Sequence, residues 1–183
     1  MRRLAKLVGD HPWFVSLVLV AAVAAHALVV RAGLLSNPWV TVTDQTVDSQ
    51  VSLHLGLAGV AAVVAGFAGV VVVFVLQSAS PRFRRFRQLA PRGVRSTSLS
   101  IVAAPMGSAV LALACGLLVM GGYGTLAMWG FELGLLVLFH GLLRTMAFFR
   151  SMIKLVQYDD AGDLKDERKA VHAGRASRER GGL

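Results

Sequence analysis

The sequence predicts an all-α integral membrane bundle of four transmembrane helices with both termini cytoplasmic. Three observations predict it. Apolar residues make up 55% of the chain and charged residues only 16%, against roughly 25% charged in ordinary globular proteins. A mean hydropathy of +0.63 leaves too little polar surface to cover a water-soluble domain, so lipid has to be part of the solvent. The apolar residues also gather in four runs, each close to the roughly 20 residues that a spanning helix needs.

The first helix is expected over about 12–32, after the basic start Met1-Arg2-Arg3-Leu4-Ala5-Lys6. Asp10 can cap it, and Pro12 suits a first turn, where a missing N–H costs nothing. A basic start, an apolar stretch and Ala25-His26-Ala27 also resemble a signal peptide with its small-residue cleavage site. The apolar run 13–30 is long for a signal, and an uncleaved signal-anchor helix is the reading adopted. Residues 31–52 are polar and turn-rich, with Asp44 and Asp48 as acids and no Lys or Arg after Arg31. Trp39 suits the headgroup level, and Pro38 after Asn37 excludes a glycosylation sequon.

The second helix is expected over about 53–77 and the third over about 98–120, where Pro105 is a candidate kink. Gly122-Tyr123-Gly124 matches three residues of the potassium-channel filter signature, but without its Thr-Val and with no room for a pore helix. It reads as a tight turn. The fourth helix is expected over about 125–157, which closes a transmembrane domain at residue 158. The polar, basic tail 159–183 mixes charge signs between Asp163 and Lys169 like a solvated helix, and its Arg and Gly content past Ala173 predicts disorder.

The location of the basic residues sets the orientation. The N-terminus, the loop carrying Arg82, Arg84, Arg85, Arg87, Arg92 and Arg95, and the tail are basic, whereas the two opposite loops are not. The positive-inside rule therefore predicts cytoplasmic termini in a plasma or inner membrane. The net charge of +9 is thus juxtamembrane. It lacks the interleaved aromatics of a base-stacking surface, so nucleic-acid binding is not expected. The loop arginines are expected to meet anionic lipid headgroups on the cytoplasmic face, at about 1 kcal/mol each, with Phe83 and Phe86 dipping in beside them. The abundance of Arg over Lys fits a GC-rich, bacterial genome.

Between helices in lipid there is little hydrophobic force, and close backbone contact through small residues takes its place. In the second helix Ala58, Gly59, Ala61, Ala62, Ala65, Gly66, Ala68 and Gly69 share about half the circumference, with Val60, Val63, Val64, Phe67, Val70 and Val71 on the other half. Gly59, Ala62, Gly66 and Gly69 follow the 3-4-3 spacing of a packing seam. This predicts a central helix whose small face serves packing within the monomer or contact between protomers of a homo-oligomer or larger complex.

Ionisable groups inside spans are costly and are functional candidates by default. Here they are His26, Arg31, His54, Glu132, His140 and Arg144. His26, His54 and Glu132 share a depth near the outer leaflet. Converged, they would form a His/carboxylate cluster or a divalent metal site; unconverged, Glu132 is neutralised by one neighbour while the histidines sit at the wet interface. Glu132, His140 and Arg144 share a stripe of the fourth helix, which either lines a polar path or lets Arg144 snorkel. His26 and His140 lie near opposite leaflets, which argues against one shared haem iron. Cys115, the one cysteine, sits in an apolar run and reads as a small buried hydrophobe.

No nucleotide loop, Ser/His/Asp arrangement or HExxH motif is present, so neither enzymatic activity nor a cofactor or metal is expected. Three functions are compatible with these residues. The first is a non-enzymatic accessory or scaffold subunit acting through helix contacts. The second is a pore- or transporter-like homo-oligomer using Glu132, His140 and Arg144, and the third a haem- or metal-binding membrane protein.

Overall fold

A computed structural model describes residues 12–77 and 91–180. The described elements are helices: α1 (Pro12–Arg31), the short α2 (Val40–Thr43), α3 (Val47–Gln77), α4 (Pro91–Met120) and α5 (Gly124–Arg180). Four of them carry stretches long and apolar enough to cross a membrane: Phe14–Arg31, Val47–Gln77, Ser98–Met120 and Gly124–Ile153. The chain is therefore a four-span helical membrane protein, as the composition predicts.

Helix boundaries follow local chemistry more than hydropathy. α3 begins well before its apolar run because Thr46 caps it: the Thr46 hydroxyl oxygen accepts the Ser49 N–H at 3.3 Å, and Asp48 in the first turn suits the positive end of the helix dipole. α1 and α4 both end in Schellman motifs built on a glycine of positive φ. At Gly33 (φ +72°) the Leu34 N–H reaches the Val29 carbonyl at 3.2 Å and the Gly33 N–H that of Val30 at 3.0 Å. At Gly122 (φ +86°) the Tyr123 N–H reaches Leu118 at 2.9 Å and the Gly122 N–H reaches Val119 at 3.0 Å. The Gly121-Gly122-Tyr123 turn therefore folds α5 straight back against α4.

At its other end α5 runs without a break to Arg180, through the segment whose composition predicts disorder. Its residues between Asp163 and Ala173 are mostly good helix formers with no Pro and no Gly. The single Gly174 that follows costs only about 1 kcal/mol, too little to end a helix already propagating.

The bundle is organised around α4, which lies against α3 on one side and α5 on the other, while α1 leans on the outside of α5. This corrects the expectation that the small-residue helix, α3, is central. α4 earns that place with a mixed-size seam: Ile101, Pro105, Ser108, Ala112, Cys115 and Val119 are all buried and alternate at spacings of four and three. Pro105 sits within a continuous helix, its ring buried.

The partner seam on α5 is glycine. A Cβ on Gly141 would lie 3.0 Å from Pro105 Cδ and 3.3 Å from Ala104 Cβ, and one on Gly134 would lie 3.1 Å from Leu57 Cδ2. One on Gly130 would collide with the Cys115 sulfur. The Ser108 hydroxyl donates to the Gly134 carbonyl at 2.7 Å, which this close approach permits.

On α3 the buried stripe is Leu57, Ala58, Ala61, Ala65 and Ala68. The predicted seam lies one residue round the helix: Gly59, Ala62 and Gly66 are exposed and Gly69 is half-buried. A Cβ at Gly59, Gly66 or Gly69 would meet nothing within 4 Å. Both stripes have the same 3-4-3 spacing, so spacing alone cannot choose between them; the alanines pack in this chain.

Gly130→Ala should lower thermal stability in detergent by about 1–3 kcal/mol, the cost of overpacking a filled core. Combining it with Cys115→Ala should restore most of the loss, whereas Gly59→Ala should cost nothing measurable. Melting curves by circular dichroism check all three.

Candidate functional site

The polar cluster of interest lies at the end of the bundle that holds the Gly122 turn. Three segments supply it. α1 brings His26, one and a half turns before its end; α5 brings Glu132 two turns after its start; the connection from α1 to α3 brings Trp39. The last is aimed by its own turn, in which Asn37 Oδ1 accepts the Trp39 backbone N–H at 2.9 Å, a local Asx arrangement set up by Asn-Pro.

Both carboxylate oxygens of Glu132 are occupied. Trp39 Nε1 donates to Oε2 at 2.8 Å, and His26 Nδ1 lies 2.8 Å from Oε1. With the carboxylate ionised, Nδ1 carries the proton in that pair. The Glu132 side chain is 17% exposed and that of His26 31%, so the acid is the more desolvated partner and depends on these donors. The Trp129 ring stands edge-on to His26, centroids 5.3 Å apart at 86°. The cluster thus clasps α1 and the α1–α3 connection onto α5. A carboxylate saturated by two fixed donors holds segments together; it is poorly placed to accept a substrate proton.

His54 does not join it. The residue is fully buried on α3, with its ring edge-on to Phe131 at 5.4 Å and 86°; Phe131 makes the matching edge contact with Trp39 at 5.8 Å. Neither ring nitrogen of His54 has a hydrogen-bond partner among the described residues. Of the two alternatives for His26, His54 and Glu132, the three do not converge: His26 is the one basic neighbour of Glu132, while His54 is buried rather than at a wet interface. Among the described residues no group of three His, Cys, Asp or Glu is placed to hold a metal ion.

One turn before His54, the Gln50 amide donates to the carbonyls of Thr43 and Gln45, each at 3.0 Å, tying the α2 segment to α3. Arg31 is exposed and borders a hollow of about 590 Å³ with Asn37 and Trp129.

His140 and Arg144 lie toward the far end of the apolar span Gly124–Ile153 of α5, where they line a separate groove with α1 and α4. Two turns of helix carrying Leu133, Leu136 and Val137 separate them from Glu132. The stripe is thus polar at its ends and apolar between. Arg92 and Arg95 fall in the first turns of α4, while Arg82, Arg84, Arg85 and Arg87 lie outside the described residues.

Sequence reasoning found the acid and one of its two donors. It missed Trp39, whose placement depends on how the connection folds back. The signal was Asn37-Pro38-Trp39, an Asx turn that delivers a Trp beside the start of the helix that bears Glu132. No family model, curated protein or solved structure matches the chain, so the site stands on its geometry.

If the clasp fastens α1, Glu132→Ala should raise amide hydrogen exchange along α1 and leave α4 protected. A His26→Ala/Glu132→Ala double-mutant cycle should give a coupling of about 0.5–2 kcal/mol, the range of polar pairs in membrane bundles.

Proposed function

We propose that the chain is a non-enzymatic multipass membrane subunit, an accessory or scaffold that works through helix contacts with itself or with a larger membrane complex. One observation carries the reading. Gly56, Gly59, Gly66 and Gly69 leave a length of α3 on which added Cβ atoms would meet nothing within 4 Å. A lipid-facing helix gains nothing from glycine, which costs about 1 kcal/mol relative to alanine in a helix interior. Bare backbone on an outer face is instead what a neighbouring helix uses to approach closely.

The saturation of Glu132 by His26 and Trp39 supports the same reading, because it leaves the polar clasp a fastening. The apolar gap between Glu132 and His140 weighs against a continuous polar path. By the positive-inside rule the basic end faces the cytoplasm, where the loop arginines meet anionic headgroups.

Cysteine scanning on a Cys115→Ser background tests the proposal in native membranes. Gly59→Cys and Gly66→Cys should cross-link efficiently, to a second copy or to a distinct membrane protein, while Val60→Cys, exposed about 100° round the helix from Gly59, should not. Gly59→Leu with Gly66→Leu should weaken that association at least tenfold and leave the melting temperature of the isolated chain unchanged. A chain that runs alone in mild detergent and gives no face-specific cross-link would sink the reading.

A further inference from the structure

A groove of about 430 Å³ runs between α1, α4 and α5 at the end of the bundle away from the clasp. It lies within the size range of small-molecule sites. Its walls are Leu19 of α1, Ala103, Ala104 and Gly107 of α4, and Val137 of α5, and its polar groups include His140 and Arg144. We propose that this groove is a binding site for one anionic phospholipid, with the headgroup phosphate on Arg144 and His140 and an acyl chain along the Ala103–Ala104–Gly107 wall.

Charge comes first. Arg144 is half-buried, and among the described residues it has neither an ion pair nor a hydrogen bond. A guanidinium cannot shed its charge and presents a planar fork suited to a phosphate. Half-buried and unpaired, it requires an anion that the described chain does not supply. His140, one turn earlier on the same helix face, adds a ring nitrogen on the same groove.

Depth comes next. Arg144 is twenty residues beyond Gly124, about 30 Å along the helix axis, which matches the thickness of a hydrocarbon core. With Gly124 at one boundary, the guanidinium reaches the headgroup level of the other leaflet, at the end of the bundle where α3 ends and α4 begins. A cationic site between helices on that side is where anionic headgroups are held.

Shape distinguishes a lipid from a free anion. The groove opens between α1 and α4, which barely touch, and Leu19, Leu99, Ala103, Ala104, Gly107 and Val137 give it an apolar wall, with Ser16 and Ser100 as its other polar residues. That is a wall for an acyl chain and a poor one for a hydrated ion. The site is independent of the scaffold reading and would stand if the glycine face of α3 proved to have no partner.

The test uses the full chain in nanodiscs and in mild detergent, with phosphatidylglycerol and phosphatidylcholine in equal amounts, and native mass spectrometry to count retained lipid. Wild type should keep one phosphatidylglycerol per chain in preference to phosphatidylcholine, and millimolar inorganic phosphate should not displace it. Arg144→Gln should cut retention at least tenfold, and Arg144→Lys less. Gly107→Leu should cut it as far with Arg144 in place, because a Cβ there meets nothing within 4 Å and the added side chain fills the groove without striking the bundle. Should Arg144→Gln fold poorly, Gly107→Leu carries the test alone. Retention unchanged in Gly107→Leu, equal retention of the two lipids, or displacement by phosphate would each overturn the proposal; the first is what an arginine that merely snorkels would give.

Discussion

The approach of α5 to α4 is the contact on which the rest of the molecule depends. Lipid tails are as apolar as leucine, so burying a side chain between two spans gains little from the hydrophobic effect, and close packing has to hold the bundle. Gly130, Gly134 and Gly141 leave three notches on one side of α5, and Cys115, Ser108 and Pro105 of α4 occupy them. This fixes the rotation of α5 about its axis. At about 100° per residue, seating Gly134 against α4 turns Glu132 to the far side of α5 and leaves His140 at the flank, where it borders the groove with α4. Every polar group of the outer face thus takes its direction from the glycine seam.

α1 is held by different means. Among the described residues it has one buried apolar side chain, Val23, and no glycine notch receives it. What holds it is the clasp of His26 and Trp39 on Glu132, all at one end. Polar pairs in membrane bundles contribute about 0.6 kcal/mol on average, so two of them make a modest anchor. A helix fastened at one end and loosely packed at the other leaves space beneath it, and the groove beside Arg144 is that space. Clasp and groove are two consequences of one asymmetry in how α1 is attached.

The spans themselves were legible because hydropathy and charge placement are properties of composition along the chain. The Gly122 turn was legible because only glycine takes positive φ without strain. Packing partners were harder to read. In α3 the alanine and glycine stripes share one spacing and sit about 100° apart, and nothing local says which one meets α4. The central role of α4 was hidden because its seam mixes Ile, Pro, Ser, Ala, Cys and Val and shows no compositional bias. The α5 seam Ala127, Gly130, Gly134, Gly141 had the right spacing but was masked by the large residues between. Of the polar cluster, helix depth could pair His26 with Glu132. It could not separate His54, whose exclusion rests on the rotation of α3, nor supply Trp39, which arrives through a loop.

Glu132 and Arg144 lie on one helix, about 120° apart round its axis, and in the sequence they look like two rungs of a single polar ladder. Their surroundings give them opposite roles. The acid meets two donors from two other segments, so its burial cost is offset within the chain and its effect is to hold that chain together. The base meets apolar walls and an opening toward lipid, and no acid among the described residues. An ionised group satisfied internally stabilises a fold; one left unsatisfied beside a cavity specifies something from outside it. The contrast lies in neighbours contributed by α1 and the loop that follows it, which is why a reading confined to the stripe itself could not separate a fastening from a binding site.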